Sequence, residues 1–440
     1  MPRRIIPLAI LGIVSVCLVG IAAYNYPPIH ERASWRVESM LSQAYYAVNP
    51  PQKAVFVPQQ IQTELPPGTQ ATAIDPLPVM TATQIPTATP TPLEATATPQ
   101  PTFTPTQTPT PIPTSVTLGG LTHEYQQMNN CGPATLSTLL SYWGWAGDQR
   151  DTRAYLRPNF ADIDDKNVNP TELADFIETQ TELKAAVRVG GDIELLKRFI
   201  AAGFPVIIEK GFQPPKEDWM GHYQVINGYD DERMRFLTQD SYIMADFPLP
   251  YEQLSEHWWR DFNYVYLVAY PAAREAEIMG ILGVESDPAV NYQRAAQYAQ
   301  GETNRLTGRD LYFAWYNLGS NLVALGEYDP AAEAYDQAFT IYAALPEDER
   351  PWRMLWYQTG PYQAYYHSDR YQDVINLANT TLSYFRLPIL EETLYWRGLA
   401  KDASGDHEGA LADLQRAIEI NPTSTAAQEY LEQMMAPSSG

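Results

Sequence analysis

Hydrophobic and polar positions divide the chain into regions of different character. Ile5 to Ala23 carries no charge and is long enough to cross a bilayer as a helix. A short helical pattern around His30 to Tyr46 lies between Pro27-Pro28 and Pro50-Pro51. From about Pro58 to Thr117 the periodicity stops: between Thr81 and Thr114 there are 9 Pro and 13 Thr among 34 residues, too little apolar surface to build a packed core. Beyond it, Leu136, Leu139, Leu140 and Trp143 recur at three- and four-residue spacing, one face of a helix that Gly144 ends. Further helical patterns cover Asp148 to Arg157, Thr171 to Leu183 after Asn169-Pro170, and Ile193 to Ala202. Phe204 to Glu209 reads as a short apolar strand, Gly221 to Asp231 as a strand ending in a turn, and Arg235 to Asp240 as its antiparallel neighbour. From about Ala273 the chain is helical and repetitive.

These boundaries give a signal-anchor transmembrane segment at 1–23, a juxtamembrane collar at 24–57, a Pro/Thr-rich disordered linker at 58–116, a mixed domain at 117–272 and a helical domain at 273–440. Arg3 and Arg4 set the N-terminus in the cytoplasm by the positive-inside rule, so the remainder is expected outside it. The alternative is a cleaved secretory signal ending near Gly20-Ile21-Ala22, but the apolar run exceeds the usual signal core and favours an uncleaved anchor. Cys17 is not a lipid-attachment site by its context, because Val16 precedes it. The proline content of the linker favours extended polyproline II, a semi-rigid spacer on the order of 100 Å or more. Such a spacer would hold the folded part away from the membrane, and its threonines are of the kind that accept O-glycans.

Charge and cysteine content narrow the function. With 52 acidic against 29 basic residues, a net charge of −23, the chain is repelled by phosphate backbones, and nucleic acid is excluded as a partner. Cys17 and Cys131 are the two cysteines, so the exported part holds one thiol and forms no internal disulfide. There is no HExxH, paired CxxC or glycine-rich phosphate loop, and no metal or cofactor is expected. Asp162, Asp164, Asp165, Asn167 and Asn169 form an oxygen-rich cluster without the glycine and terminal glutamate of a calcium loop, which makes it a solvated turn.

Cys131 opens the helix of Leu136 to Trp143, where unpaired backbone N–H groups and the helix dipole stabilise a thiolate. Gln126, five residues upstream, offers an amide that can stabilise an oxyanion. The hairpin of Gly221 to Asp240 can bring Asp240 beside His222, an oriented base of the kind that activates a nucleophile. His123 and His257 are read as surface or packing residues.

The segments YQQMNNCGPAT, GHYQVINGYDD and TQDSY resemble the three sequence blocks of papain-like cysteine peptidases related to the double-glycine leader peptidase domain of bacteriocin exporters. The resemblance covers about 117–272 and implies an α+β papain-like fold. It implies Gln126 as oxyanion donor, in preference to the adjacent Gln127, Cys131 as nucleophile, His222 as general base and Asp240 as its orienter. Nothing in the chain resembles the transporter ATPase, so leader specificity does not carry over.

Trp315, Leu318, Gly319, Gly326, Tyr328, Ala331, Tyr335 and Ala338 are similar to the tetratricopeptide pattern, and Gly398, Gly405, Ala410, Leu414, Ala417 and Pro422 repeat it. Trp356 to Thr381 is a degenerate copy, Asn291 to Glu302 an opening helix and Thr425 to Met434 a closing cap. This resemblance implies an all-α solenoid that binds peptides or partner proteins. The aromatics of Arg353 to Tyr357 and Tyr362 to Tyr366 are read as repeat core in preference to a recognition groove.

Together these features predict a membrane-anchored, extracytoplasmic cysteine peptidase whose repeats recruit a peptide or protein substrate or a partner. Two alternatives remain open at the level of sequence. One is a non-catalytic peptide-binding scaffold; the other is an amidase or transpeptidase acting on cell-wall peptides.

Overall fold

The computed structural model describes residues 55–59, 112–158, 168–215, 217–383 and 389–436, with single positions at 20, 40 and 48. Apart from those single positions, the apolar run 5–23, the collar pattern 30–46, the Pro/Thr stretch 60–111 and positions 162, 164, 165 and 167 of the oxygen-rich cluster lie outside the described residues. Among the described residues no helix is long and apolar enough to cross a membrane.

The mixed domain is a sheet with helices on both faces. Its strands are β1 (Ser115–Thr117), β2 (Leu183–Arg188), β3 (Val206–Phe212), β4 (Met220–Asp230), β5 (Arg235–Asp240), β6 (Met244–Pro250) and β7 (Tyr266–Pro271). Their order is β2-β7-β3-β4-β5-β6, every pairing antiparallel, with β1 also on β4. The long strand β4 shares its first half with β3, from Phe212 opposite Met220 to Val206 opposite Ile226. It shares its last residues with β1, where Ser115 faces Asp230.

On one face of the sheet lie α1 (Cys131–Tyr142), α2 (Gln149–Leu156) and α3 (Pro170–Gln180). Leu136, Leu139, Leu140, Leu173, Phe176 and Ile177 pack there against Ile207, Val225, Leu267 and Ala269. The other face is covered by α4 (Ile193–Ala201), whose Leu196, Phe199 and Ile200 meet Val206, Ile208, Ile226 and Val268. Because side chains alternate along a strand, Ile207 faces the first helix layer while Val206 and Ile208 face the second.

The expected helices appear with small shifts. Asp148 caps α2 through its side chain, and the pattern at Thr171 to Leu183 splits: α3 stops at Gln180, and Leu183 begins β2. The strand expected over Phe204 to Glu209 runs instead from Val206 to Phe212. The fully apolar β7 was not foreseen; it sits between β2 and β3, where both faces are covered and no polar alternation is required.

After α5 (Glu275–Leu282) and α6 (Pro288–Thr303) come the paired helices α7 (Gly308–Ala324) and α8 (Tyr328–Ala344). A short helix α9 (Met354–Tyr357) precedes the second pair, α10 (Gly360–His367) and α11 (Tyr371–Leu382). The third pair is α12 (Glu391–Ala403) and α13 (His407–Ile420), followed by α14 (Thr425–Met435). Gly319 is required by packing, since a Cβ there would lie 2.8 Å from the ring of Tyr335 on the partner helix. Tyr362 and Tyr365 are buried repeat core, as the spacing predicts.

The repeats are fastened to the sheet domain by buried polar contacts. Arg260 pairs with Glu302 at 3.0 Å, and the Tyr264 hydroxyl donates to the same carboxylate oxygen at 2.9 Å. Asn263 donates to Asn321 at 2.6 Å, and Arg309 meets Asp261 at 2.7 Å. Residues 55–59 also pack on the repeats, with Phe56 inside their core.

Candidate active site

Cys131 is the first residue of α1, so its own N–H is one of those without an intrahelical acceptor, and the helix dipole favours a thiolate. A buried polar network holds the turn before it. Asn130 donates to Gln149 Oε1 at 2.9 Å, and Gln149 Nε2 donates to Glu124 and to the Tyr125 carbonyl. Asn129 takes a left-handed backbone with φ 51°, and Arg157 donates to its carbonyl. The guanidinium also places positive charge near the thiol.

His222 lies near the start of β4 and Asp240 at the end of β5, brought together by the antiparallel register in which Val225 faces Gln239. His222 Nε2 and Asp240 Oδ1 are 3.0 Å apart, with both side chains buried. With Nε2 committed to Asp240, Nδ1 is the ring nitrogen left for Cys131, and the His222 side chain and the Tyr223 N–H both stabilise its thiolate. Phe212 stacks on the imidazole at 4.7 Å and 26°, fixing the ring plane. The same Asp240 oxygen accepts from the backbone N–H groups of Tyr242 and Ile243, both at 2.9 Å, and Gln224 donates to the other.

These contacts explain the charge states. Burial pushes the Cys131 thiol up, but the hydrogen bond and charge of His222, the Tyr223 N–H and Arg157 outweigh it and leave the pKa lowered. Burial alone would lower His222; the charge and hydrogen bond of Asp240, helped by Cys131, raise it to about 9. Burial likewise opposes ionisation of Asp240, yet His222, Lys210 and the Ile243 N–H bring it down to about 2. The arrangement favours a thiolate–imidazolium pair backed by a carboxylate.

Gln126 is buried, and its amide is oriented. Its backbone N–H donates to the Ser241 carbonyl at 3.0 Å, and its Oε1 accepts from the Ser241 hydroxyl at 3.0 Å. That leaves Nε2 as the end able to donate to an oxyanion. Gln127 instead donates its N–H to Gln149 and belongs to the network beneath the turn. His123 hydrogen-bonds Gln239 and packs edge-on to Tyr125, whereas His257 is exposed. Neither is among the residues placed around Cys131.

A pocket beside the sulfur is lined by Asn129, Gly132, Val168, Glu209, Tyr223 and Tyr357. Glu209 is buried there; burial holds its carboxyl well above the ordinary range, and the charge of Cys131 pushes the same way. A neutral Glu209 avoids a second negative charge beside the thiolate. Tyr357 comes from α9 of the repeat region, packed edge-on to Trp219 at 6.0 Å and Phe262 at 5.6 Å.

Sequence reasoning missed Ser241, Gln224, Phe212, Glu209 and Tyr357. Gln224 was within reach, since it lies two residues from His222 on a strand and so shares its face. Ser241 adjoins Asp240, but nothing in the sequence aims its hydroxyl at Gln126. Tyr357 was among the aromatics read as repeat core, but packing turns its ring into the pocket beside Cys131.

Asn169 of the oxygen-rich cluster caps α3: its N–H donates to the Glu172 carboxylate at 2.6 Å, and its side-chain amide donates to Glu392 of α12 at 2.8 Å. Among the described residues no group of three or more His, Cys, Asp and Glu side chains is placed to hold a metal ion.

No curated protein matches the chain. Among solved structures, it is similar to a candidate C39-like peptidase from Bacillus anthracis at 18% identity and a TM-score of 0.31, covering 36% of this chain and 97% of that one. It is also similar to the MamA RS-1 ArsTM double mutant at 17% identity and a TM-score of 0.28, covering 33% of this chain and 74% of that one. Residues 122–265 match the Peptidase_C39 like family, and residues 314–344 and 391–424 match the tetratricopeptide repeat, a module of protein–protein interaction.

Proposed function

We propose that this chain is a cysteine peptidase with Cys131 as nucleophile, His222 as general base and acid, Asp240 as the group that orients the imidazole, and Gln126 as oxyanion donor. The observation that carries the reading is the row Cys131–His222–Asp240, in which Asp240 Oδ1 takes His222 and the N–H groups of Tyr242 and Ile243 while Oδ2 takes Gln224. A peptide-binding scaffold has no need of such a relay, because aligning three titratable groups at a helix N-terminus costs burial energy that binding alone does not require.

In this mechanism the Cys131 thiolate attacks a peptide carbonyl, and the developing oxyanion is met by Gln126 Nε2 and the Cys131 N–H. The His222 imidazolium gives its proton to the leaving amine, leaving a thioester on Cys131. Water, deprotonated by the now neutral imidazole, hydrolyses the thioester and restores the pair. Asp240 keeps the ring in one orientation throughout.

The same proposal includes a membrane anchor at Ile5 to Ala23 with the folded part outside the cytoplasm, supported by the uncharged run behind Arg3 and Arg4. It also includes recruitment of a substrate or partner by the repeats. Incubating the full chain with a mixed peptide library and reading new termini by mass spectrometry tests the activity. Cleavages absent from Cys131→Ser are expected; identical termini from both proteins, or none from either, would sink the reading.

A further inference from the structure

The strongest feature outside the active site is a groove on the repeats that already holds a piece of the chain. Along Val55 to Gln59, Phe56 and Pro58 are buried, Val55 and Val57 are half-buried, and Gln59 is exposed. Over Val55 to Pro58, ahead of the helical Gln59, every second side chain is directed inward. Phe56 meets Phe339 edge-on at 5.1 Å and Tyr365 at 6.1 Å, in a groove also lined by Tyr342, Trp352, Met354 and Leu377. The Gln59 N–H donates to Asp373 Oδ1 at 2.9 Å, and Arg370 holds the other Asp373 oxygen at 2.8 Å. The contact therefore has an aromatic anchor, a second apolar residue two positions on, and a main-chain hydrogen bond to a fixed carboxylate. These are the elements by which grooves read extended peptides.

We propose that this groove is a peptide-binding site for extended segments carrying phenylalanine followed two residues later by proline, and that Val55–Gln59 is its resident ligand. The resident segment is joined to the body through the stretch 60–111, which makes its binding intramolecular. A groove that holds such a ligand only weakly is then still occupied. An external peptide of the same chemistry must outcompete that local concentration, so a partner with a better-fitting Phe-x-Pro segment would free the N-terminal stretch from the repeats. The inference stands apart from the peptidase reading, since it uses none of the groups around Cys131.

The test uses the full chain in detergent, in a Cys131→Ser background so that the probe is not a substrate. A fluorescein-labelled synthetic peptide of residues 52–62 is titrated with the protein and followed by anisotropy. The Phe56→Ala chain, its groove vacated, should bind the peptide saturably and at least tenfold more tightly than the chain retaining Phe56. A peptide with alanine in place of the phenylalanine should not bind. Absence of saturable binding to Phe56→Ala, or equal binding to both proteins, would overturn the proposal. A second measurement does not depend on the peptide. With a specific protease site inserted between residues 80 and 90 and then cut, the N-terminal piece should co-elute with the body when Phe56 is present and separate when it is alanine. The same behaviour in both proteins would also overturn it.

Discussion

Tyr357 and Cys131 line one pocket, although one belongs to a four-residue helix between repeats and the other opens the first helix of the sheet domain. Any substrate side chain entering that pocket is therefore read partly by the repeat region. Gly221 makes this approach feasible, because a Cβ there would lie 3.1 Å from the Tyr357 ring.

Replacing Tyr357 should alter substrate selection while leaving the nucleophile intact. Tyr357→Ala is expected to change kcat/KM by about tenfold or more between small and bulky side chains next to the scissile bond, as removal of one pocket wall does. Tyr357→Phe should stay near wild type. Kinetics on a peptide series, with Cys131 alkylation measured alongside, check this; unchanged selectivity in Tyr357→Ala refutes the assignment.

Cys131 should behave as a thiolate well below the ordinary thiol pKa of about 8.5. Intact-mass labelling of Cys131 by iodoacetamide from pH 4 to 9 should show fast reaction in the acidic range. His222→Ala removes the main group lowering the thiol pKa, so the reactive limb should move to higher pH. A slow reaction with an ordinary or raised pKa in both proteins would make Cys131 structural.

The amide of Gln126 is held by Ser241, and the two should separate catalysis from nucleophile activation. Gln126→Ala is expected to lower kcat by roughly 10²- to 10³-fold, the usual effect of losing one oxyanion donor. Ser241→Ala, which frees the amide to rotate, should lower it by about tenfold. In both variants the pH profile of Cys131 alkylation should stay as in wild type; a shifted profile would show that Gln126 acts on the thiol.

The His222–Asp240 pair makes stability depend on pH in two windows. His222 is raised from 6.5 to about 9 in the folded chain, so its contribution is full below 6.5 and is lost as pH rises through about 9. Asp240 is lowered from 3.8 to about 2, so its contribution is present above 3.8 and is lost as pH falls through about 2. Urea unfolding across pH should give a plateau between pH 4 and 6.5, with both limbs flattened in a His222→Gln, Asp240→Asn double variant. Identical pH profiles for the two proteins would remove the pair as the cause.

Glu302 joins the two domains through Arg260 and Tyr264, all three buried. Glu302→Ala leaves the Arg260 charge without its buried partner and should cost about 3–5 kcal/mol. Calorimetry on the wild type should show sheet domain and repeats unfolding together, and the variant should split or lower that transition. A variant Tm equal to wild type would mean that the junction contributes nothing.

Much of the fold was legible because it is local in origin. The apolar spacing of Leu136 to Trp143, the Asn169-Pro170 start of α3, and the glycines at 319 and 398 each act through neighbours within a turn or within one helix pair. Their reading needed only the period of a helix or strand and the size of a side chain. The row Cys131, His222 and Asp240 was legible for a similar reason: a helix start and one hairpin deliver all three.

What the sequence determined by itself is thus the set of elements, their periodicity and the identity of the groups with unusual chemistry. The tertiary structure alone decided which of those groups are oriented and by what: the Ser241 hydroxyl on Gln126, Phe212 on His222, Tyr357 across the pocket and Phe56 in the groove. Apart from the Phe212–His222 stack, which spans the β3–β4 hairpin, each joins residues far apart in the chain, and such contacts depend on how elements pack rather than on the propensity of any segment. They leave no periodic trace, because a single side chain placed by packing has no period to read.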